Sequence, residues 1–400
     1  MCRKQSSDKV TVYSDNEQIV DESSSDDSLS NNELVPEESV VDDATCVFRY
    51  EYGLEVRVDS GSLSKNGELA VTIDLNDRIY VWNTDTGDSI FYIDMPFATR
   101  VVGFNYNDEY VAAGTEYGKI QLWKISDKTC VWETTLENDI ISMKWHHSAN
   151  ILIVTVKTWD VYMLKPQKND IKVLVQYTGD QIWTGTIFPD GERMAIGYES
   201  GKIEVIDLET SAVLSTTPAD PTRLCGHASG VVGLDCHMDN NLIISVSLEN
   251  QIILSTAHDG KVVCVLQDVG MSSGDQVGTV ALCKDPTFPV AASLMFVNGH
   301  EGVTGKIYIW DISKQTLMHE INQDEVILDL VWTKTSIFFT IGISIKVKCF
   351  DARTGCCLRT FSGHRADTLD AHLCVSSDGK KALTIATDNT ARIFDISSVC

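Results

Sequence analysis

Apolar and polar residues alternate in short segments that recur along the chain. Each segment follows a turn and ends on a bulky residue, as in residues 118–123 and 305–311. Strict alternation of this kind predicts a half-buried β-strand. The bulky position recurs at 82, 123, 164, 206, 255, 310, 350 and 394, so most repeats are 40–44 residues apart and two are separated by 49 and 55 residues.

This period and strand pattern predict an all-β propeller, in which each repeat forms one four-stranded blade. Eight repeat endings predict eight blades. The last repeat carries only three strand signals, at 368–375, 381–387 and 391–396. We therefore expect the strand-like residues 46–51 to supply its fourth strand and close the ring, which removes an open sheet edge. The two long steps predict loop insertions at 271–275 and 298–302.

Residues 1–45 have a different composition, with twelve acidic and three basic residues among many Ser and Asn. A segment this polar cannot bury enough apolar surface to offset the entropy of ordering it. We therefore expect a disordered, acidic, Ser-rich tail at 1–45 and the propeller at 46–400. Ser23 and Ser24 each have Asp three residues later, a pattern that acidophilic kinases accept, so both are candidate phosphorylation sites.

The charge of the whole chain favours a basic partner. It carries 57 acidic and 32 basic residues, a net charge of −25, of which −16 remains after residues 1–45 are set aside. Phosphate contacts require clustered Lys and Arg, so direct binding of nucleic acid is not expected. A basic protein or peptide is the expected partner. The tail is either a solubilising extension or an acidic arm that captures this partner.

The sequence predicts neither a membrane span nor disulfides. No apolar run approaches the roughly 18 residues of a spanning helix, and no apolar stretch follows the N-terminus as in a secretory signal. The twelve cysteines include no Cys-x-x-Cys pair, and several lie among apolar strand residues. We expect reduced thiols and a monomer in the cytoplasm or nucleus.

Catalytic motifs are missing from the sequence. Gly118-Lys119, Gly201-Lys202 and Gly305-Lys306 are followed by Ile rather than by the Ser or Thr of a phosphate loop. His146 and His147 have no further metal ligands at suitable spacing, and no nucleophile elbow is present. We expect no catalytic residues, no cofactor and no metal site.

The Gly226-His227 and Gly363-His364 pairs, together with Trp310-Asp311, make the chain similar to WD-repeat proteins. In that family the His joins a Ser or Thr, a turn carboxylate and the Trp in a buried hydrogen-bonded network. The resemblance assigns structural roles to two sets of side chains. These are His227, Ser245 and Glu249 in the fifth repeat, and His364, Thr384 and Asp388 in the eighth.

Finer features resemble the angio-associated migratory cell protein family. They are the acidic tail, the eight repeats, and the sequences at 197–203 and 350–370. The resemblance implies a non-enzymatic adaptor or chaperone. The fungal relative escorts a large-subunit ribosomal protein by binding its basic N-terminal segment, whereas the animal relatives are linked to cell migration and growth signalling. The leading hypothesis is therefore an escort in ribosome biogenesis, and the alternative is a signalling scaffold.

Candidate partner-binding residues lie where the repeat alignment places the upper entrance of the ring. Asp329 and Asp370 take equivalent positions near the inner strands, and Trp183 could stack on an Arg. Several carboxylates around one opening would focus a negative potential. The full candidate set is Glu116, Asp139, Asp180, Trp183, Glu199, Asp324, Glu325, Asp329, Asp367 and Asp370.

Overall fold

The computed structural model describes residues 42–49, 61–74, 76–95, 97–266, 276–299, 302–364, 371–386, 388 and 390–399. Within them, thirty-two strands form eight four-stranded antiparallel sheets, each one blade of a β-propeller. The predicted all-β, eight-bladed fold is confirmed. Apart from two single-turn 3-10 helices, Glu116–Gly118 and Pro166–Lys168, these residues form strands and loops. No helix in the described ranges has the length and apolar character needed to cross a membrane.

The strands of the first four blades are given from the inner to the outer position. Blade 1 contains β2 (Gly61–Leu63), β3 (Leu69–Ile73), β4 (Arg78–Asn83) and β5 (Ser89–Asp94). Blade 2 contains β6 (Thr99–Phe104), β7 (Tyr110–Thr115), β8 (Lys119–Lys124) and β9 (Thr129–Thr135). Blade 3 contains β10 (Ile140–Trp145), β11 (Leu152–Val156), β12 (Val161–Lys165) and β13 (Asp170–Val175). Blade 4 contains β14 (Ile182–Ile187), β15 (Arg193–Tyr198), β16 (Ile203–Asp207) and β17 (Val213–Thr217).

The remaining blades follow the same order. Blade 5 contains β18 (Val231–Cys236), β19 (Leu242–Ser247), β20 (Ile252–Thr256) and β21 (Val262–Leu266). Blade 6 contains β22 (Gln276–Leu282), β23 (Val290–Gly299), β24 (Gly302–Asp311) and β25 (Thr316–Gln323). Blade 7 contains β26 (Ile327–Trp332), β27 (Ile337–Gly342), β28 (Val347–Asp351) and β29 (Cys356–Phe361). Blade 8 contains β30 (Ala371–Val375), β31 (Lys381–Ala386), β32 (Thr390–Asp395) and β1 (Cys46–Arg49).

The ring is closed by β1, as the sequence predicts. It pairs antiparallel with β32, with Cys46 opposite Ile393. The Phe48 ring then stacks on Trp82 of blade 1, with 4.7 Å between centroids and 11° between planes. One short N-terminal strand therefore completes the last blade and packs it against the first.

The residues before β1 add an ionic contact to this closure. Arg392 on β32 is only 2% exposed, and its Nη1 donates to the Asp42 carboxylate. The Asp43 amide donates to the carbonyl of Ser362 at 2.9 Å. Residues 42–45, assigned by composition to the acidic tail, thus contact blades 7 and 8. The rest of the tail, including Ser23 and Ser24, lies outside the described residues.

The apolar core lies between neighbouring blades. Every bulky repeat position lies on the third strand of a blade. The alternating segment of each repeat is therefore this third strand. Trp82, Leu164 and Phe394 are fully buried, and so is the much smaller Ser255. Because neighbouring blades pack face to face, a large apolar residue at this position can be replaced when other side chains fill the space.

One predicted insertion takes a different form. The sequence predicts a loop insertion at 298–302, but β23 and β24 are ten residues long and pair as far as Gly299 and Gly302. The extra residues lengthen this hairpin, so the loop prediction is wrong. Val297 pairs with Thr304 there, and β-branched residues suit strands. The other predicted insertion, 271–275, lies outside the described residues.

The predicted network of His364 forms, whereas that of His227 forms only in part. His364 Nε2 lies 2.7 Å from Thr384 Oγ1, and its Nδ1 lies 3.0 Å from Asp388 Oδ2. His227 Nε2 likewise lies 2.7 Å from Ser245 Oγ. Glu249, however, pairs with the Arg223 guanidinium at 2.7 Å, so its predicted place in the network of His227 is wrong. An arginine in the long connection before blade 5 attracts this carboxylate.

Candidate functional site

The upper face of the ring consists of two kinds of loop: those from the second to the third strand of each blade, and those that connect one blade to the next. Together with the upper ends of the inner strands, it carries the candidates that the structure describes. They are Glu116, Asp139, Asp180, Trp183, Glu199, Asp324, Glu325 and Asp329. Asp367 and Asp370 lie outside the described residues.

Two of these carboxylates on blades 2 and 3 are paired with cations. Glu116 accepts a hydrogen bond from the guanidinium of Arg100. Asp139 accepts from the Tyr117 backbone N–H at 3.1 Å and from Lys157 Nζ at 3.2 Å. The Tyr117 N–H, followed by the lysine, lowers the pKa of Asp139. The charge of each carboxylate is balanced locally, and Asp139 also ties two loops together.

Asp324 and Glu325 share a cation between blades 6 and 7. Lys348 Nζ lies 3.0 Å from Asp324 Oδ1 and 3.3 Å from Glu325 Oε1. Glu325 also accepts from the backbone N–H of Ser344 at 2.9 Å. The hydrogen bond from Lys348 is the largest cause of the lowered pKa of Asp324, although this side chain is 88% exposed. Half of the negative charge of this pair is therefore cancelled.

Asp329 lies on the inner strand β26 and is partly buried. Its Oδ1 accepts from the backbone N–H of Leu330 at 2.8 Å. A strand position makes its carboxylate part of the channel wall rather than of an exposed loop.

Asp180 and Glu199 have a different environment. Asp180 accepts from the backbone N–H of Ser200 at 3.0 Å and from its hydroxyl at 2.7 Å. Glu199 is exposed, and its backbone N–H donates to Gln181 at 2.8 Å. Within the described ranges neither carboxylate forms an ion pair. Neutral donors fix the Asp180 carboxylate without cancelling its charge, and the Glu199 side chain is exposed, so both carboxylates contribute fully to the field of the upper face.

Trp183 borders a depression between blades 3 and 4. The depression has a volume of about 150 Å³, and its lining includes Ile141, Lys144, Trp159, Trp183 and strand residues of β14. Lys144 Nζ donates to the carbonyl of Gly185 at 3.4 Å. Ile141 is exposed and both tryptophans are partly exposed. Trp183 follows Asp180 by three residues, and Trp159 and Glu199 lie on equivalent loops of blades 3 and 4.

Three residues of this region are not among the candidates predicted from the sequence: Trp159, Asp160 and Tyr177. Asp160 accepts from the backbone N–H of Tyr177 at 2.8 Å and from the Thr158 hydroxyl at 2.8 Å. Tyr177 is 41% exposed. Trp159-Asp160 occupies in blade 3 the loop that carries Glu116 in blade 2, so alignment of these loops could have found it.

The backbone of Trp159 is strained. Its φ is 69°, a left-handed conformation that is unusual for a bulky residue. Gly201 occupies the corresponding turn position in blade 4 with φ 92°. A tryptophan there costs strain that glycine would avoid. We refer to Trp159, Asp160, Tyr177, Asp180, Trp183 and Glu199 together as the blade 3–4 site.

The chemistry available to this site is recognition of a cation with an apolar stem. Carboxylates held by neutral donors attract a guanidinium or ammonium group, and aromatic faces bind such groups by cation–π contact. Among the described residues, no group of three or more His, Cys, Asp or Glu side chains could hold a metal ion. The ten cysteines in these ranges are free thiols.

Comparison with known proteins agrees with this architecture. A family model described as "WD domain, G-beta repeat" matches residues 355–395. The human angio-associated migratory cell protein is 28% identical over 334 residues, covering 82% of this chain and 75% of that protein. The WD repeat-containing protein SL1-17 of Schistosoma mansoni is 23% identical over 219 residues, covering 54% of this chain and 56% of that protein.

Solved structures show the same fold at low sequence identity. Chaetomium thermophilum Sqt1, solved bound to the N-terminus of the ribosomal protein L10, has a TM-score of 0.73 and 14% identity, covering 89% of this chain and 100% of that one. Saccharomyces cerevisiae Sqt1 has a TM-score of 0.74 and 12% identity, covering 89% and 99%. The chain is an eight-bladed β-propeller with a WD repeat at 355–395, and it resembles angio-associated migratory cell protein.

Proposed function

We propose that the protein is a non-enzymatic escort for a basic ribosomal protein, which it binds through the blade 3–4 site. The observation that carries this proposal is the combination of Asp160, Asp180 and Glu199, held by neutral donors or exposed, with the rings of Trp159 and Trp183. A newly made ribosomal protein carries dense positive charge that must be kept from nucleic acid. An acidic, aromatic surface covers such a segment.

The nature of the bound segment follows from the site. Arg and Lys present a charge at the end of an apolar stem, and the stem can pack on an indole ring while the charge reaches a carboxylate. The depression between blades 3 and 4 has room for little more than one such side chain. The segment therefore places one Arg in the depression and further basic residues along the acidic loops.

Support for a ribosomal partner comes from the fold neighbours. The Chaetomium Sqt1 propeller is bound to the N-terminus of the ribosomal protein L10. The first partner to test is thus the N-terminal segment of ribosomal protein L10 from the same species as this chain. This role would operate in the cytoplasm or the nucleus, where ribosomal proteins are made and assembled.

A labelled synthetic peptide with this N-terminal sequence tests the proposal by fluorescence anisotropy. The double variant Asp180→Asn, Glu199→Gln keeps side-chain shape but removes two charges, and we expect at least tenfold weaker binding at modest salt. The control, Asp324→Asn, removes a charge that Lys348 half cancels and should change affinity less than threefold. Equal losses in both variants would refute the blade 3–4 site.

Affinity purification from the native cells separates the escort from the signalling scaffold. An escort retains one basic ribosomal protein at close to one copy per propeller and loses it as salt screens the charges. Recovery of several unrelated partners that resist high salt would contradict the escort role and support the scaffold.

A further inference from the structure

The opposite end of the ring opens into a second and larger cavity of about 810 Å³. We call it the lower mouth. Its walls are the lower ends of the inner strands and the turns that follow them, and every blade contributes at least one residue. The volume lies within the roughly 300–1,000 Å³ range of ligand sites. The depression between blades 3 and 4 meets this cavity, because Thr186 and Ile187 line both, whereas Asp160, Asp180 and Glu199 lie on the upper loops.

Three lysines line the lower mouth, in contrast to the net charge of −25 of the whole chain. Lys284 Nζ is paired with Asp235 Oδ2 at 2.7 Å. Lys65 on blade 1 and Lys334 on blade 7 form no ion pair with any residue in the described ranges. The mouth thus offers two ammonium groups from blades on either side of blade 8.

The nearby carboxylates are already engaged. Asp108 accepts from the backbone N–H of Lys65 at 2.8 Å. On the surrounding turns, Asp190 pairs with Arg193 at 2.7 Å and Asp378 with Lys380 at 3.2 Å. Asp108 and Asp235 themselves line the mouth, but within the described ranges neither forms an ion pair with Lys65 or Lys334, so a ligand's carboxylates can reach both ammonium groups.

Aromatic side chains form part of the cavity wall. Trp145 donates its indole N–H to the carbonyl of Gly103 at 3.0 Å, and Trp332 donates to Ala281 at 3.2 Å. Each tryptophan is thereby fixed to the inner strand of the preceding blade. Trp332 and Phe104 are buried, whereas Trp145 is partly exposed and Met238 is exposed, so Trp145 and Met238 give the cavity most of its apolar surface.

We propose that the lower mouth binds a short acidic segment of another protein, in which carboxylates flank an aromatic side chain. The carboxylates would pair with Lys65 and Lys334, and the aromatic side chain would pack against Trp145. Positive charge at the mouth of a strongly acidic protein favours an acidic occupant over a basic one, and the apolar walls favour a peptide over a small inorganic anion. The proposal does not depend on the upper-face function, because Lys65, Lys334 and Trp145 do not belong to the blade 3–4 site.

The probe is a labelled peptide, Glu-Asp-Glu-Phe-Glu-Asp-Glu, titrated with the full-length protein in an anisotropy assay. We expect saturable one-to-one binding. The double variant Lys65→Glu, Lys334→Glu should weaken it at least tenfold, and Lys65→Met, Lys334→Met at least fivefold. Lys168→Glu makes a charge change on an exposed turn of the same face but outside the mouth, and should change affinity less than twofold.

Two further peptides test the chemistry of the occupant. Replacing Phe by Ser should weaken binding at least fivefold, and replacing every carboxylate by Lys should abolish it. Equal binding of the Ser peptide, or an equal loss in Lys168→Glu, would overturn the proposal in favour of diffuse charge attraction. Tighter binding of a peptide copied from residues 21–34 would also overturn it, because the mouth would then belong to this chain's own acidic segment. Circular dichroism of each variant checks that the fold is kept.

Discussion

The contact between Asp42 and Arg392 leads to the most demanding prediction. Arg392 is 2% exposed, and Asp42 is 23% exposed. Replacing Asp42 by Asn leaves a buried guanidinium without its carboxylate. Breaking a buried pair from one side typically costs about 3–5 kcal/mol. Thr390 still accepts from Arg392 Nε at 3.2 Å, so we expect Asp42→Asn to lower the free energy of unfolding by about 3 kcal/mol.

A second substitution separates the cost of the unpaired charge from the net contribution of the pair. The double variant Asp42→Asn, Arg392→Met removes the buried charge and keeps much of the side-chain volume. Replacing buried ion pairs by apolar residues is often nearly neutral. We therefore expect the double variant to be within about 1 kcal/mol of the wild type, and hence more stable than Asp42→Asn alone.

Asp85→Asn provides the matched control for these variants. Asp85 also pairs across blades 8 and 1, with Lys381, but it is 66% exposed. Loss of an exposed pair costs about 1 kcal/mol or less. Urea unfolding followed by circular dichroism measures all four proteins, and hydrogen exchange of the β1 amides locates the change. An Asp42→Asn variant no less stable than Asp85→Asn, or a double variant as unstable as Asp42→Asn, would refute the reasoning.

Three further predictions concern other parts of the ring. Phe48→Ala removes the ring stacked on Trp82 and should cost about 3–5 kcal/mol in urea unfolding, whereas a cost below about 1 kcal/mol would mean that β1 does not close the ring. Burial lowers the pKa of His227 to about 4, whereas the pKa of an unfolded histidine is about 6.5. The contribution of neutral His227 to the free energy of unfolding is therefore complete above pH 6.5 and is lost as the pH falls toward 4. The wild type should therefore lose about 3 kcal/mol more than His227→Gln between pH 7 and pH 4, and parallel pH profiles would contradict this. Trp159→Gly removes the strain of a left-handed tryptophan and should change the free energy of unfolding by no more than about 1 kcal/mol. The same variant should bind the basic peptide at least fivefold more weakly, and an unchanged affinity would disprove this role of Trp159.

The repeat pattern was sufficient to predict the fold, because blade packing places a buried residue, usually a large apolar one, at the same strand position in each repeat. Even the degenerate copies at Leu164 and Ser255 lie on regular third strands. The role of Asp42 could not be predicted, because composition groups it with the acidic segment and its partner Arg392 is 350 residues away. A pattern of local residues carries no information on such a long-range pair.

The candidate site was predicted in its location but not in its electrostatics. Topology places the loops on one face, so the candidates given by repeat alignment lie together there. Whether a carboxylate is balanced by a cation depends on its side-chain partner, and the partners differ between blades. Arg100 neutralises Glu116, whereas the Ser200 hydroxyl leaves the charge of Asp180 unbalanced. The sequence contains both carboxylates but not this distinction.

The carboxylates of the upper face have two kinds of hydrogen-bond donor, charged and neutral, and this difference explains how the surface can be rigid and still attract cations. Asp139 and Glu325 connect neighbouring loops, and lysines balance their charge, so they make the loops rigid but add little to the negative potential. Asp160 and Asp180 connect loops through backbone N–H and hydroxyl donors, so they make the loops rigid and also keep their full negative charge. A carboxylate held in this way does not have to be reoriented when a cation arrives, which lowers the cost of binding. The strongest attraction on the upper face is therefore expected where charge is fixed by neutral donors next to rigid rings, and blades 3 and 4 combine these features.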